Sequence, residues 1–185
     1  MERQILINIS QLVTPEGSTA KHGSTMNDVK KIEHAAVVVE DGQIAFVGTT
    51  EEVKAFYRLE EENVRDLAGH ALLPGFVDSH THFIFGGYRP EEFMMRQKGV
   101  PYIEIHKAGG GIQNTVEATR ALDEEEMYRL GEIRLKDMLS MGVTTVEGKS
   151  GYGLDHDCEL RQLQVMKKLN EAQPISVVNT YLGAH

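Results

Sequence analysis

The pattern of apolar and polar positions changes character near Pro74. Before it, the signals are short and strand-like. Ile5, Ile7 and Ile9 alternate with polar neighbours, the period of two expected of a half-buried strand. A polar stretch opening at Thr14-Pro15-Glu16-Gly17 and continuing to about Asp28 predicts a loop. Ala35-Ala36-Val37-Val38-Val39 and Ile44-Ala45-Phe46-Val47 flank Asp41-Gly42, which predicts a hairpin because glycine accepts the positive φ of a tight turn. Thr49 followed by Glu52 has capping-box spacing and predicts a short helix through Tyr57.

After Pro74 strands alternate with helices. Phe76-Val77-Asp78-Ser79-His80 reads as a buried strand and 91–98 as a short helix. Asp123 and Glu126 cap a longer helix, whose acidic start suits the helix dipole. Its apolar side carries Leu130, Ile133, Leu135, Met138 and Leu139, and Gly142 is placed to stop it. Val143-Thr144-Thr145-Val146 predicts the next strand. A helix over 157–170 follows, with Leu160, Leu163, Val165 and Met166 inward, and then a strand over 175–182. Strand–helix–strand–helix–strand predicts parallel strands joined by right-handed crossovers, an α/β class. Gly109-Gly110-Gly111 falls in what reads as a long loop between the first of these strands and the Asp123 helix.

Composition narrows the function classes. With 19 basic and 28 acidic side chains among 185 residues, the formal net charge is −9, which argues against a nucleic-acid or anionic-membrane partner. No apolar run approaches the roughly 20 residues of a membrane helix, and Ile5-Leu6-Ile7-Asn8-Ile9 is too short for a secretory signal. The single Cys158 excludes an internal disulfide and fits a reducing compartment; near a helix start it is either a reactive thiolate or, more simply, a small buried side chain. A cytoplasmic protein is expected.

The chemistry gathers at strand ends. In His80-Thr81-His82 the two imidazoles, two residues apart in extended chain, project to one side and supply half of a four-coordinate zinc or iron site. The competing reading is one satisfied loop histidine and one solvated one. Val146-Glu147 runs into Gly148-Lys149-Ser150-Gly151-Tyr152-Gly153, a loop able to bring Tyr152 over a pocket or to use it as a half-buried prop. Walker spacing is absent from it, so no phosphate cradle is expected. The third strand leads to Leu182-Gly183-Ala184-His185. Arg89 follows the histidine pair and can fork onto a carboxylate or form a surface ion pair. Tyr102 and His106 lie near the glycine run; a core or surface role suits His106. His22, His34, His70 and His156 have no paired ligand at useful spacing.

Leu73-Pro74-Gly75-Phe76-Val77-Asp78-Ser79-His80-Thr81-His82 resembles the first-strand motif of the amidohydrolase superfamily. Phe85-Gly86-Gly87-Tyr88-Arg89, the segment 103–115, Glu147-Gly148-Lys149-Ser150-Gly151-Tyr152-Gly153-Leu154 and Thr180-Tyr181-Leu182-Gly183-Ala184-His185 are similar to one branch of it, and the Lys-Ser-Gly-Tyr-Gly loop is the specific part. That branch hydrolyses the cyclic amide of 4-imidazolone-5-propanoate to N-formimidoyl-L-glutamate in histidine degradation. The resemblance implies a (β/α)8 TIM barrel, of which residues 74–185 hold the first three or so strands, preceded in residues 1–73 by the amino-terminal part of a small composite β-sandwich. It implies one metal ion, zinc or iron (Zn2+ or Fe2+/Fe3+), on His80 and His82. It implies a carboxylate-bearing small-molecule substrate bound by Arg89, Tyr102, Tyr152 and His185, with His185 also catalytic, and leaves the oligomeric state open, a homodimer included. The family's remaining ligands and acid/base carboxylate lie on later strands. The chain is therefore expected to be the amino-terminal part of a longer enzyme and to be inactive alone. Two other readings stand beside it: an amidohydrolase acting on a purine or another cyclic amide, and a metal-binding or interaction module without turnover.

Overall fold

The computed structural model describes residues 2–61 and 63–185, which divide into two compact units, Met1–Pro74 and Gly75–His185. The first is built on a four-stranded sheet of order β3-β2-β1-β4, from β1 (Arg3–Pro15), β2 (Val29–Glu40), β3 (Gln43–Thr49) and β4 (Asn63–Asp66). β2 lies antiparallel to β1 and β3, and β4 runs parallel to β1. β1 extends through Pro15 and β2 begins at Val29, so both strands outrun their apolar segments. At the β2–β3 turn Asp41 and Gly42 have φ of 47° and 79°, and Glu40 pairs with Gln43, the two-residue hairpin that the Asp-Gly step favours. Helix α1 (Thr50–Phe56) starts on the capping box: Thr49 Oγ1 accepts from Glu52 N at 3.2 Å and Glu52 Oε2 accepts from Thr49 N at 2.6 Å.

One correction concerns the first strand. Ile5, Ile7 and Ile9 do not share a face. Ile5 and Ile7 pack with Ala36, Val38 and Val53, whereas Ile9 joins Leu12, Ala35 and Val37 in a separate cluster. The register slips between Leu6 and Ile9, where Asn8 takes a φ of 56°, and this bulge turns the rest of β1 over.

The second unit carries a parallel sheet of order β5-β6-β7, made of β5 (Phe76–Thr81), β6 (Val143–Lys149) and β7 (Ser176–Thr180). Helices α2 (Pro90–Gln97), α3 (Tyr102–Lys107), α4 (Ile112–Ala121) and α5 (Glu124–Ser140) lie between β5 and β6, and α6 (His156–Ala172) lies between β6 and β7. Val146 of β6 is fully buried in a core that includes Met127 and Leu135 of α5 and Val165 and Met166 of α6. The Asp123 carboxylate accepts from Glu126 N at 2.8 Å at the head of α5, and Asp155 caps α6 through Cys158 N at 2.9 Å.

Three expectations fail here. The long loop around the glycines contains two helices, α3 and α4. The strand at Phe76 is not buried: β5 is an outer strand, with Phe76 53% and Val77 68% exposed. Ile133 and Leu160 are on the outer faces of their helices, exposed at 44% each, because Gly131 and Leu135 of α5 and Gln162 of α6 occupy the inner positions.

Candidate functional site

β5 delivers the histidine pair. The His80 backbone N donates to Asp78 Oδ1 at 3.1 Å, and Thr81 closes the strand so that His82 stands just beyond it. The two rings lie 5.7 Å apart between centroids. β6 delivers the next group through the loop after Lys149. Ser150 is fully buried; its backbone N donates to Thr180 O at 3.0 Å, and its Oγ accepts from Leu182 N at 3.0 Å. These bonds tie the β6 loop to the end of β7 and bring Tyr152 and His185 together. The His185 ring stacks on His82 at 4.4 Å, and the Tyr152 ring sits 5.1 Å from His82 and 5.3 Å from His185.

His82 is an unusual ring. Both of its nitrogens are buried and neither makes a hydrogen bond of good geometry, although the Ser150 backbone comes near the ring. Burial, and then the neighbouring His185, outweigh the opposing pull of the nearby Ser150 backbone and hold its pKa below the ordinary histidine value, so its neutral form, the ligating form, is favoured. A neutral imidazole with a buried free lone pair is the donor a divalent transition metal takes. Histidine fits in type, and His80 is its neighbour. Among the described residues no group of three or more His, Cys, Asp or Glu could hold a metal ion. Glu147, at the same strand edge, is engaged elsewhere: its Oε1 pairs with Lys149 and accepts from Thr180 Oγ1 at 2.7 Å, and the Lys149 pairing keeps its carboxyl below the usual range.

Beside the histidines opens a cavity of about 350 Å³. One wall is a single face of α2 and its cap, Arg89, Glu92, Phe93 and Arg96, at positions i, i+3, i+4 and i+7. Tyr152 and His185 form another wall, and Tyr102 and Ile112 complete the lining. A smaller cavity of about 160 Å³ reaches His82 and shares Arg89 and Tyr152. The residues singled out in the sequence thus fall into two groups. Arg89, Tyr102, Tyr152 and His185 share the larger cavity, and His82 lines the smaller one with His80 near it. The His106 ring stacks near Tyr102 at 6.4 Å. His22, His34 and His70 belong to the first unit, and His156 is an exposed partner of Asp157. Glu92, Phe93 and Arg96 were not among the sequence candidates; the signal was their helical spacing from Arg89.

The loop carrying Arg89 is held from α5. Arg134 Nη1 donates to the carbonyls of Phe83 and Phe85, each at 2.9 Å, and its guanidinium lies 3.7 Å over the Phe85 ring. Two further bonds, of 3.3 and 3.2 Å, reach Tyr88 Oη. On the far side of the site, Glu159, buried in α6, accepts from the amides of Gly153 and Leu154 at 2.8 Å each and fixes the loop after Tyr152.

The chain is similar to curated proteins along nearly its whole length. The imidazolonepropionase of Parabacteroides distasonis is 54% identical over 183 residues, covering 98% of this chain and 44% of the relative. That of Clostridium tetani is 48% identical over 181 residues, with 98% and 43% covered. The chain matches the amino-terminal part of the imidazolonepropionases. It spans somewhat less than half the length of these curated relatives. No protein-family profile matches it. Among solved structures, guanine deaminase of E. coli superposes with a TM-score of 0.65 at 14% identity, covering 98% of this chain and 36% of that one. The ochratoxinase of A. niger gives 0.55 at 17% identity, covering 97% and 31%. An atrazine chlorohydrolase of Arthrobacter aurescens, solved with zinc and atraton, gives 0.53 at 14%, covering 94% and 34%. These likenesses, at 14–17% identity, show a shared mixed α/β fold.

Proposed function

We propose that this chain supplies the amino-terminal part of a metal-dependent hydrolase that opens the cyclic amide of 4-imidazolone-5-propanoate to N-formimidoyl-L-glutamate, a step of histidine degradation. In this reading β5, β6 and β7 are the first strands of a (β/α)8 barrel, and the Met1–Pro74 sheet is part of a small β-sandwich. One observation carries the proposal: His82 keeps two buried, unpartnered ring nitrogens beside a cavity that also holds an arginine suited to a carboxylate. His80 and His82 would hold one zinc or iron ion, and the remaining ligands and the acid/base carboxylate come from later in the gene product. The chemistry such an ion supplies is polarisation of the amide carbonyl and activation of water at neutral pH.

The chain's own residues do the rest. Arg89 forks onto the propanoate and sets the ring toward the histidines. Tyr152 and Tyr102 close on the bound ring from two sides and exclude water from it. His185 Nδ1 lies 3.1 Å from the Gly151 carbonyl and donates to it. Its Nε2 then accepts from a ring N–H when the imidazole is neutral and donates to a developing oxyanion when it is protonated. A polypeptide of residues 1–185 alone would be inactive, and the whole enzyme would act in the cytoplasm, its oligomeric state open with a homodimer included.

The test is turnover of 4-imidazolone-5-propanoate by the complete gene product, with metal content measured in parallel. His82→Ala should abolish both, and Arg89→Ala should raise KM by roughly 10- to 100-fold with kcat largely kept. Turnover of a purine or of another cyclic amide, with a KM indifferent to Arg89, would overturn the substrate reading. A gene product that binds metal and turns over nothing would make it a binding module.

A further inference from the structure

We propose that Glu92 is the positioning residue of the Arg89 carboxylate subsite, and that Gly110 and Gly111 are there to receive it. The proposal rests on the reading of Arg89 as the group that meets the substrate carboxylate. Glu92 lies one helical turn from Arg89, and its two oxygens are divided between two tasks. Oε2 takes Nη1 of Arg89 at 3.3 Å, and Oε1 accepts from the backbone N of Gly111 at 2.8 Å, at the N-cap of α4. An exposed i,i+3 ion pair alone would do little. This one is different in setting: the Glu92 side chain is only 16% exposed, and its second bond reaches another element.

The glycines fit around that carboxylate. A Cβ on Gly110 would come within 2.9 Å of Glu92 Oε1 and 2.9 Å of Ile105 Cγ2, and Gly111 has a φ of 87°, which presents its N–H toward Glu92. A side chain at Gly110 would close the space the carboxylate fills, and one at Gly111 would press on Tyr102 and His106. The guanidinium has five N–H donors in a fixed fork. Glu92 occupies one and leaves the others for a ligand. A long arginine side chain held in this way loses less freedom when a carboxylate arrives, so the gain appears in binding and not in the chemical step. Glu92 therefore sets the position of Arg89 and ties it to the α4 end of the cavity, where Ile112 lines the wall.

The experiment uses the complete gene product and two probes that share a ring, 3-(imidazol-4-yl)propanoate and 4-ethylimidazole, with dissociation constants read by calorimetry. Glu92→Gln keeps an acceptor for Gly111 and removes the charge that holds Arg89. It should weaken the propanoate probe by roughly 5- to 10-fold, leave 4-ethylimidazole unchanged and leave kcat within about twofold. Gly110→Ala, which displaces the carboxylate without changing it, should give the same selective loss. Arg89→Ala should weaken only the propanoate probe, and adding Glu92→Gln to it should cost nothing more. Wild-type propanoate affinity in Glu92→Gln, with Arg89→Ala still selective, would overturn the role of Glu92 and leave the reading of Arg89 standing. Equal weakening of both probes, with a lowered unfolding temperature, would make Glu92 a structural support and also overturn it. An Arg89→Ala variant that does not distinguish the probes would overturn both.

Discussion

Cys158 shows how a single side chain declares its role through burial. It sits 2% exposed in the first turn of α6, where the positive end of a helix would by itself favour a thiolate. Burial dominates and pushes its pKa above the ordinary value of 9.0, with the nearby Asp155 adding to the rise. The folded state therefore holds this proton more tightly than the unfolded one. Its contribution to stability is whole below the ordinary thiol value and fades as pH climbs past it. We expect Cys158 to resist alkylation by iodoacetamide at pH 7.5 in the folded protein and to react on unfolding in urea, as mass spectrometry of labelled protein would report. His82 makes the contrasting case. A bare histidine pair two residues apart announces a ligand no more strongly than it announces two loop residues. The sequence carries the pair, but the rings packed against His82 are those of Tyr152 and His185, 70 and 103 positions further on.

At the scale of elements, the site depends on how the segment from Phe83 to Arg89 is gripped from both sides. On one side Arg134 of α5 stacks on Phe85 and binds two carbonyls. Lysine keeps the charge but loses the planar fork, so Arg134→Lys should cost about 1–2 kcal/mol in chemical denaturation. On the other side Gly86 presses against α4. Its N–H donates to Thr119 Oγ1 at 2.9 Å, and a Cβ would lie 2.4 Å from the Ala118 carbonyl oxygen. Because that neighbour is backbone, Gly86→Ala should destabilise by about 1–3 kcal/mol, seen as a lower urea midpoint with an unchanged slope. The same contact explains why α4 escapes a reading by periodicity. Its buried face carries Thr115, Val116 and Thr119, and the Thr119 hydroxyl donates to Thr115 O at 2.7 Å. Hydroxyls satisfied inside the helix let threonine pack as an apolar residue while the pattern still scores it polar. α5, through its capping Asp123, and α6, through its apolar positions, were legible.

At the scale of the molecule, the Gly75–His185 sheet has β6 in the middle and β5 and β7 each with one neighbour among the described residues. Val77 and Val178, on the outer strands, are 68% and 54% exposed. Outer strands with bare apolar side chains pair with other chains unless covered. A polypeptide of residues 1–185 should therefore sediment faster as its concentration rises, and Val77→Lys with Val178→Lys should abolish that trend. The alternation of strands and helices was readable because each strand ends in a turn and each main helix carries its cap. Which strands lie outside was not, since a run such as Phe76-Val77 reads the same whether a neighbour covers it or not. The Ile5-Ile7-Ile9 run misled for a related reason: one left-handed residue, Asn8, reverses faces without disturbing the alternation.

The central place of β6 also sets an order for hydrogen exchange. Its amides between Thr145 and Lys149 lie between two partners, beneath a core that includes Val146, Met166 and Leu169. They should be the last in the sheet to exchange with deuterium, and those of β5 and β7 should exchange earlier through openings at either side. His80 rides on β5 and His185 follows β7. Fluctuations too small to unfold the core should therefore separate the two histidines, so the groups gathered at the sheet's edge should keep time with its fast-exchanging margins while Val146 stays closed beneath them.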